Sequence, residues 1–325
     1  SKIRNFNRYI FTMRKVLLTI LMMCILALQA QEHISVLESN PLLQTKQKQM
    51  SKMRTTFALS LPFLDDFSYN SYFPDNLLWE DSAVFVNRSY PVNPVTIGVA
   101  TFDGLDANGM AYDISASTQG KRADSLTSRA IDLSSVDSAY LLFYYQAEGL
   151  GDNPQTEDSL VLEFYNIEKI DTTYYLDSII SFAYKSENTN VIYGPAFSLD
   201  TVFEWKHIWS IAGQTTQEFQ RMEFDIVGAN YLHAGFRFRF RNYATLSGNY
   251  DHWHIDYVKV DAYSAGQIPA LNDVSFVYEN PQLLKRYREM PWVQYKENTT
   301  GELRDTLDIV LRNNNAGFSV DYQYD

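Results

Sequence analysis

Cysteine is almost absent from this sequence. Cys24 is the single cysteine among 325 residues, and it lies inside an apolar N-terminal segment. The rest of the chain therefore has no thiol that could form a disulfide, ligate zinc or act as a nucleophile. A chain of this length can bury a sizeable core without such crosslinks. An exported chain of this composition must be held together by its core or by a bound metal ion.

The sequence also has no apolar run long enough to cross a membrane as a helix. Val16–Leu28 is a run of 13 residues that is apolar except for Thr19. As a helix it would span roughly 20 Å, short of the ~30 Å hydrocarbon core of a membrane. With Arg14 and Lys15 before it, the run is typical of a secretory signal peptide, which we place at residues 13–30. A membrane anchor is the weaker alternative.

Basic residues become scarce once this N-terminal part is removed. Residues 1–12 precede the first methionine and are interpreted as a leader outside the mature protein. Residues 1–30 hold five basic residues and no acidic one, which leaves 22 basic and 39 acidic residues and a formal charge of −17. Nucleic acid and anionic membrane surfaces repel such a chain. We expect an exported protein, at the cell surface or extracellular, with no nucleic-acid partner and no transmembrane span in the mature chain.

Motifs of catalysis are absent as well. The sequence has no G-x-S-x-G elbow, no H-E-x-x-H and no glycine-rich phosphate loop. We therefore expect a protein that is not an enzyme. Carboxylates are plentiful, so a glycoside hydrolase or lyase built on a jelly roll remains an alternative.

What the sequence does contain is a series of short aromatic and β-branched runs separated by Gly, Asn, Asp and Pro. The 23 Tyr and 20 Phe residues favour sheet over helix. This spacing predicts an all-β fold, a jelly-roll β-sandwich over residues 61–265, with two stacked sandwiches as the alternative. The clearest predicted strands are 83–86, 97–102, 139–146, 159–166, 174–183, 205–211, 220–227, 234–242 and 252–261.

The segments on either side of this domain differ from it in composition and in predicted structure. Residues 31–60 are polar and are interpreted as a flexible lead-in. Residues 266–325 are interpreted as a linker and the truncated start of a second β-sandwich domain, with a short helix at 281–289. The chain stops in what reads as mid-strand, which indicates a fragment of a larger protein.

The segment DHWHIDYVKV, from Asp251 to Val260, reads as the closing strand of the sandwich. Trp253 and Ile255 share one parity, whereas Val258 and Val260 share the other. Both pairs can face the core only if one extra residue is inserted between them, so we predict a β-bulge near Asp256.

Acidic residues at both ends of the domain suggest a cation site. We expect the first and last strands to be neighbours, which would bring together Asp65, Asp66, Asp251 and Asp256. Calcium takes six to eight oxygen ligands from carboxylates and carbonyls. We therefore consider a structural calcium site at these four residues, the alternative being that the carboxylates only cap turns.

Other polar residues suggest weaker binding sites. His252 and His254 lie on one face of a strand, where two histidines could support a transition metal, although outward polar positions are the simpler interpretation. The arginines at 237, 239 and 241 alternate with inward phenylalanines and could bind an acidic glycan or form a solvated face. Three tryptophans could stack on sugars or belong to the core: Trp79, Trp205 and Trp209.

A short pattern of Asp, then Ser or Thr, then an apolar residue is repeated along the chain. Asp-Ser is good turn chemistry before a strand, and the pattern also resembles the O-glycosylation acceptor of exported Bacteroidota proteins. Both interpretations stay open at each site. The aspartates of the pattern are Asp81, Asp124, Asp137, Asp158, Asp177, Asp200 and Asp305.

Three segments together carry a family resemblance: LPFLDDFS, TIGVATFDGLDANGMAY and FRFRFRNYATLSGNYDHWHIDYVKV. They resemble the MAM-like, concanavalin-type jelly-roll modules of secreted Bacteroidota surface proteins, over about residues 61–263. Many such proteins are linked to type IX secretion or gliding motility. The resemblance implies adhesion or surface binding, makes calcium a plausible structural ion and assigns no catalytic residue. MAM modules generally carry cysteine pairs, which the mature part of this chain lacks.

These observations favour a non-enzymatic, exported binding or adhesion module of a larger cell-surface or secreted protein. Its expected partner is a glycan or an envelope protein. The alternatives are a structural subunit of a bacterial secretion or gliding machine and the jelly-roll hydrolase or lyase mentioned above.

Overall fold

The computed structural model describes residues 39–44, 58–116, 120–181, 190–263, 268–315 and 319–321, without side chains for residues 168–202. The predicted leader, the signal peptide and most of the lead-in lie outside the described residues. Within the described part of the chain, no helix has the length and apolar character needed to cross a membrane.

The fold is nearly all β, as the sequence predicts. The strands in chain order are β1 (Phe63–Asp65), β2 (Phe85–Asn87), β3 (Val99–Phe102), β4 (Lys121–Thr127), β5 (Ala139–Ala147), β6 (Ser159–Ser181), β7 (Asn190–Ala212), β8 (Gln220–Ile226), β9 (Phe238–Ala244), β10 (Trp253–Ala262), β11 (Val274–Phe276) and β12 (Leu311–Asn313). Three helices of one turn each complete the described elements: α1 (Pro41–Gln44), α2 (Trp292–Tyr295) and α3 (Thr299–Glu302).

Two antiparallel sheets form the sandwich. The six-stranded sheet has the order β2-β3-β10-β5-β8, and β1 pairs with the same edge of β10 that β3 uses further along. The four-stranded sheet has the order β4-β9-β6-β7. The first and last strands of the domain are therefore neighbours, which confirms that part of the sequence prediction.

The core lies between these sheets and follows period-two alternation. In β9 and the two residues before it, the phenylalanines at 236, 238 and 240 are fully buried and point inward, as predicted. Leu160, Leu162 and Phe164 of β6 share the same core cluster. The intervening residues of both strands face outward.

The closing strand contains the predicted β-bulge. Pairing between β10 and β5 shifts register between Asp256 and Lys259, so two residues of β10 stand opposite one of β5. Tyr257 in the bulge has φ +52°. The bulge lets Trp253 and Val258, which have opposite parity, both enter the core, where each is fully buried.

The outer face of the six-stranded sheet is covered by residues that follow the sandwich. Tyr140, Leu142 and Tyr144 point away from the main core and pack in a second cluster with Leu271. Arg312 also donates a hydrogen bond to the Asn93 carbonyl at 3.2 Å. Residues in the 268–315 range thus pack on the sandwich, and their interpretation as the start of a second domain stays a prediction.

Two expectations about individual elements are wrong. The helix predicted at 281–289 is not formed, because the backbone there pairs with the C-terminal end of α3: the Lys285 N–H donates to the Glu302 carbonyl at 2.8 Å. The strands predicted at 159–166 and 174–183 belong to the single strand β6, which runs to Ser181 in a long hairpin with β7. The polar strand β4 was not predicted.

Candidate functional site

The four-stranded sheet presents an outer face rich in arginine and aromatic side chains. We name it the aromatic–arginine face. Its members alternate with core residues on β4, β6, β7 and β9 and on the residue before β9: Arg122, Glu163, Tyr165, Phe203, Trp205, Arg237, Arg239, Arg241 and Tyr243. The outward placement of the three alternating arginines confirms the sequence prediction.

The rings of this face form one continuous row across two strands. Tyr165 and Trp205 are directly paired across β6 and β7, and their ring centroids lie 5.1 Å apart. Tyr165 also stacks on Phe203, with ring centroids 5.1 Å apart and ring planes 5° from parallel. Phe203 is 39% exposed, which leaves part of its ring open to solvent.

The arginines lie over these rings. The guanidinium carbon of Arg239 is 4.0 Å from the ring centroid of Trp205, and that of Arg237 is 5.7 Å from Tyr165. Such contacts hold a guanidinium flat against an aromatic ring while its edge can still donate hydrogen bonds.

A single acidic residue ties two of the arginines together. Arg239 donates to Glu163 at 2.6 Å, and Arg241 donates to the other oxygen of the same carboxylate at 2.5 Å. Burial opposes ionisation of Glu163, but hydrogen bonds from the two arginines outweigh it and lower the pKa of the carboxyl. Glu163 is therefore held as a carboxylate, which does not suit a general acid.

The face has a positive balance in a strongly acidic chain. Glu163 is shared by two arginines, and Arg237 pairs with Glu80 at 3.3 Å. Arg122 is exposed beside them on β4. Four arginines against two glutamates leave a local excess of positive charge and a set of planar donors suited to carboxylate or sulfate groups.

The predicted tryptophan candidates separate into core and surface. Trp79 is 1% exposed and belongs to the core. Trp209 is partly buried and packs against the core cluster. Trp205 is the member of the three that lies on the aromatic–arginine face.

The structure places the four predicted calcium ligands in three environments. The carboxyl of Asp65 is buried and accepts hydrogen bonds from the Phe67 N–H at 2.9 Å and the Trp79 indole at 2.6 Å. Burial raises the pKa of Asp65 to about 6. Asp66 accepts from the backbone N–H and the hydroxyl of Ser68, which is the turn-capping role weighed in the sequence.

Asp256 and Asp66 are connected through hydrogen bonds of Thr96. One oxygen of Asp256 accepts from the N–H groups of Val95 and Thr96, both at 2.8 Å. The Thr96 hydroxyl lies 2.8 Å from the other oxygen and 2.6 Å from the Asp66 carbonyl. Since a hydroxyl has one proton, both contacts are satisfied when Asp256 is itself protonated, and burial raises the pKa of Asp256 to about 7.

Asp251 lies at the other end of β10 and does not join this group. It has φ +58°, and one carboxylate oxygen accepts from the Thr245 N–H at 2.7 Å. Among the described residues, no group of three or more His, Cys, Asp or Glu side chains is arranged to hold a metal ion. Calcium at the four predicted residues stays a prediction.

His252, directly before β10, and His254, within it, are not solvated, contrary to the simpler sequence interpretation. His252 is 1% and His254 0% exposed, because the loop that follows β5 covers them. Gly149 in that loop has φ +59°, and a Cβ there would lie 2.6 Å from the His254 ring. Burial lowers the pKa of His252 to about 4 and that of His254 to about 3.

Most of the described Asp-Ser/Thr sites are structural. Asp81 accepts hydrogen bonds from Ser125 and from the Thr127 N–H, and Asp124 and Asp158 are buried. At Asp305 both the aspartate and the following Thr306 are exposed. The side chains at 177 and 200 lie outside the described residues, and glycosylation of these sites stays a prediction.

Sequence reasoning missed Tyr165 and Phe203 of the face. Both have the outward parity of their strands, and Phe203 stands two residues before Trp205. The alternation that located the arginines would have located Tyr165 as well. The pairing that places it beside Trp205 is a property of the hairpin and not of either strand alone.

Comparisons with known proteins give a limited result. No protein-family model and no curated protein matches this chain, so the MAM-like resemblance stays unconfirmed. Among solved structures, a cleaved adhesin domain of Lys-gingipain from Porphyromonas gingivalis is similar at 12% identity and a TM-score of 0.31, covering 62% of this chain and 99% of that domain. A family 16 carbohydrate-binding module is similar at 11% identity and a TM-score of 0.26, covering 57% and 90%. The likeness goes no further than the β-sandwich fold, which the two sheets establish by themselves.

Proposed function

We propose that this protein is an exported, non-enzymatic binding module that recognises acidic glycans through the aromatic–arginine face. The observation that carries the proposal is the row of rings formed by Tyr165, Phe203 and Trp205 with arginines lying over it. Sugar sites combine aromatic platforms with polar groups that fix orientation, and both are present here. Cell-surface or extracellular localisation is part of the same proposal and rests on the signal peptide predicted at residues 13–30.

The position of the face in the fold supports this choice. The outer face of the six-stranded sheet is occupied by the cluster around Leu271, whereas the aromatic–arginine face has exposed members at Arg122 and Phe203. A row of rings with an exposed member among the described residues suits an extended chain of sugars.

The positive charge of the face favours acidic glycans over neutral ones as the ligand. Planar guanidinium groups bind carboxylates and sulfates in a bidentate manner. The rest of the chain carries excess negative charge, which would repel an acidic polymer everywhere except at this face. A neutral glycan would gain nothing from the arginines beyond ordinary hydrogen bonds.

A glycan array tests the proposal with the full chain. We expect binding to carboxylated or sulfated polysaccharides, weaker binding to their neutral counterparts, and loss of affinity as the salt concentration rises from ~0.05 to ~0.5 M, because exposed charge pairs are screened. Binding to no glycan would refute the proposal. Capture of an envelope protein in fixed stoichiometry, with no glycan binding, would favour the structural-subunit alternative instead.

A further inference from the structure

At one rim of the sandwich, two buried carboxyl groups lie close together, and each has one oxygen atom that receives no hydrogen bond from the described residues. Asp158 stands directly before β6, and Asp251 lies in the loop before β10; they are 1% and 0% exposed. One oxygen of each accepts a backbone hydrogen bond, from Gln155 at 2.9 Å and from Thr245 at 2.7 Å. The other oxygen, Oδ1 in both residues, has no donor within the described part of the chain.

These two groups are close enough to interact directly. Their carboxyls lie within hydrogen-bonding reach of each other. Asp152 adds a third carboxyl, which accepts from the Asp251 N–H at 3.3 Å. Adjacent buried carboxylates repel each other, so either a shared proton or a cation must stand between them.

We propose that a calcium ion binds between Asp158 and Asp251 and is ligated by their two Oδ1 atoms. Calcium accepts oxygen ligands in flexible geometry, so backbone carbonyls and waters of the surrounding loops can complete its shell. Among the described residues, no group of three or more His, Cys, Asp or Glu side chains is arranged to hold a metal ion, so these two carboxylates would be the main protein ligands.

The neighbouring histidine argues against a transition metal at this rim. The Nδ1 atom of His252 accepts a hydrogen bond from the Asp152 N–H at 2.8 Å. In the neutral ring the proton is then on Nε2, which has no partner among the described residues. A protonated ring nitrogen has no lone pair to offer a metal, so oxygen ligands remain.

The site differs from the one considered in the sequence. Both carboxyl oxygens of Asp65 and of Asp256 have hydrogen-bond partners in the protein, whereas Oδ1 of Asp251 has no donor among the described residues and lies close to Asp158. An ion here would join the loop before β6 to the loop between β9 and β10. It would stabilise the rim and leave the aromatic–arginine face unchanged.

Thermal unfolding of the full chain, stripped of metal with a chelator and then titrated with calcium chloride, tests this proposal. Calcium at roughly 100-fold above its Kd should raise Tm by about 5–10 °C. Asp158→Asn and Asp251→Asn should abolish the response. Asp256→Asn and the exposed control Asp113→Asn should keep it.

Other outcomes overturn the proposal. A native protein without a calcium response, combined with an Asp158→Asn variant of higher Tm, would show that the pair shares a proton, because the new amide then donates to Asp251. A response lost in Asp256→Asn but kept in Asp158→Asn would place calcium at the ends of the domain.

Hydrogen–deuterium exchange of the native chain locates the ion without any variant, which decides the matter if a variant fails to fold. Calcium should slow exchange mainly in residues 151–158 and 245–251. Protection confined to residues 63–68 and 95–97 would contradict the assignment.

Discussion

At the scale of single residues, hydrogen-bond direction fixes the state of His254. The Asn87 amide donates to the Thr101 hydroxyl at 2.6 Å, and that hydroxyl lies 2.8 Å from Nδ1 of His254. Nε2 of the ring lies 3.1 Å from the Glu148 carbonyl, which can only accept, so the neutral ring carries its proton on Nε2. Nδ1 then accepts the hydrogen bond that the Thr101 hydroxyl donates. A second proton on the ring, at Nδ1, would break this hydrogen bond.

This arrangement predicts acid sensitivity. The pKa of His254 is about 3 in the folded protein and about 6.5 in the unfolded chain, so the unfolded chain binds the proton first. The stabilisation is fully present above pH 6.5 and is lost as the pH falls toward 3. His254→Gln cannot titrate there, and its free energy of unfolding should depend on pH less steeply, by up to about 1.4 kcal/mol per pH unit.

Urea unfolding at several pH values between 7 and 4 measures this difference. The exposed His207 offers a matched control, since His207→Gln should keep the native pH dependence. Equal pH dependence in the native protein and in His254→Gln would contradict the assignment.

At the scale of elements, the bulge of β10 is anchored from outside the strand. Thr96 bonds the bulge at Asp256 and also the Asp66 carbonyl beyond the end of β1. It thereby joins the two ends of the domain. The bulge is thus held by a hydroxyl of the loop before β3.

Removing that hydroxyl should weaken the whole sandwich. Thr96→Val leaves the Asp66 carbonyl without its donor and the buried Asp256 carboxyl without its hydroxyl partner, and we expect the free energy of unfolding to fall by about 1–3 kcal/mol. The exposed Thr306 provides a matched control, since Thr306→Val should change stability by less than about 0.5 kcal/mol. Denaturant titration of both variants gives the comparison, and an unchanged Thr96→Val would show that the contact is not stabilising.

The elements show which part of the structure could be predicted from the sequence. Alternation predicted the inward phenylalanines at 236–240 and the bulge, because a period of two is a local property of a strand. The burial of His254 could not be predicted, since it depends on a loop about a hundred positions away. Likewise, the pairing of Asp158 with Asp251 requires the topology, because each looks like an ordinary turn residue in its own segment.

At the scale of the whole molecule, the outer faces of the two sheets differ in what contacts them. The face of the six-stranded sheet is apolar and packed beneath Leu271, whereas the aromatic–arginine face combines half-buried rings with charged groups. An amphipathic face of this kind can bind a ligand with little rearrangement, because its arginines are already held by Glu163 and the rings. Asp158 stands directly before the first residue of β6, whereas Tyr165 of the aromatic–arginine face lies several residues further along that strand.

The affinity of the full chain for an acidic polysaccharide, measured by titration calorimetry before and after Trp205→Ala, tests the proposed binding face most directly. Removal of this ring, which the Arg239 guanidinium contacts, should weaken binding about 10-fold or more. Trp292→Ala makes the same change at a tryptophan that is 70% exposed and lies outside the face, and it should leave the affinity unchanged. Equal affinity for the native protein and Trp205→Ala, or equal losses in both variants, would contradict binding at the aromatic–arginine face.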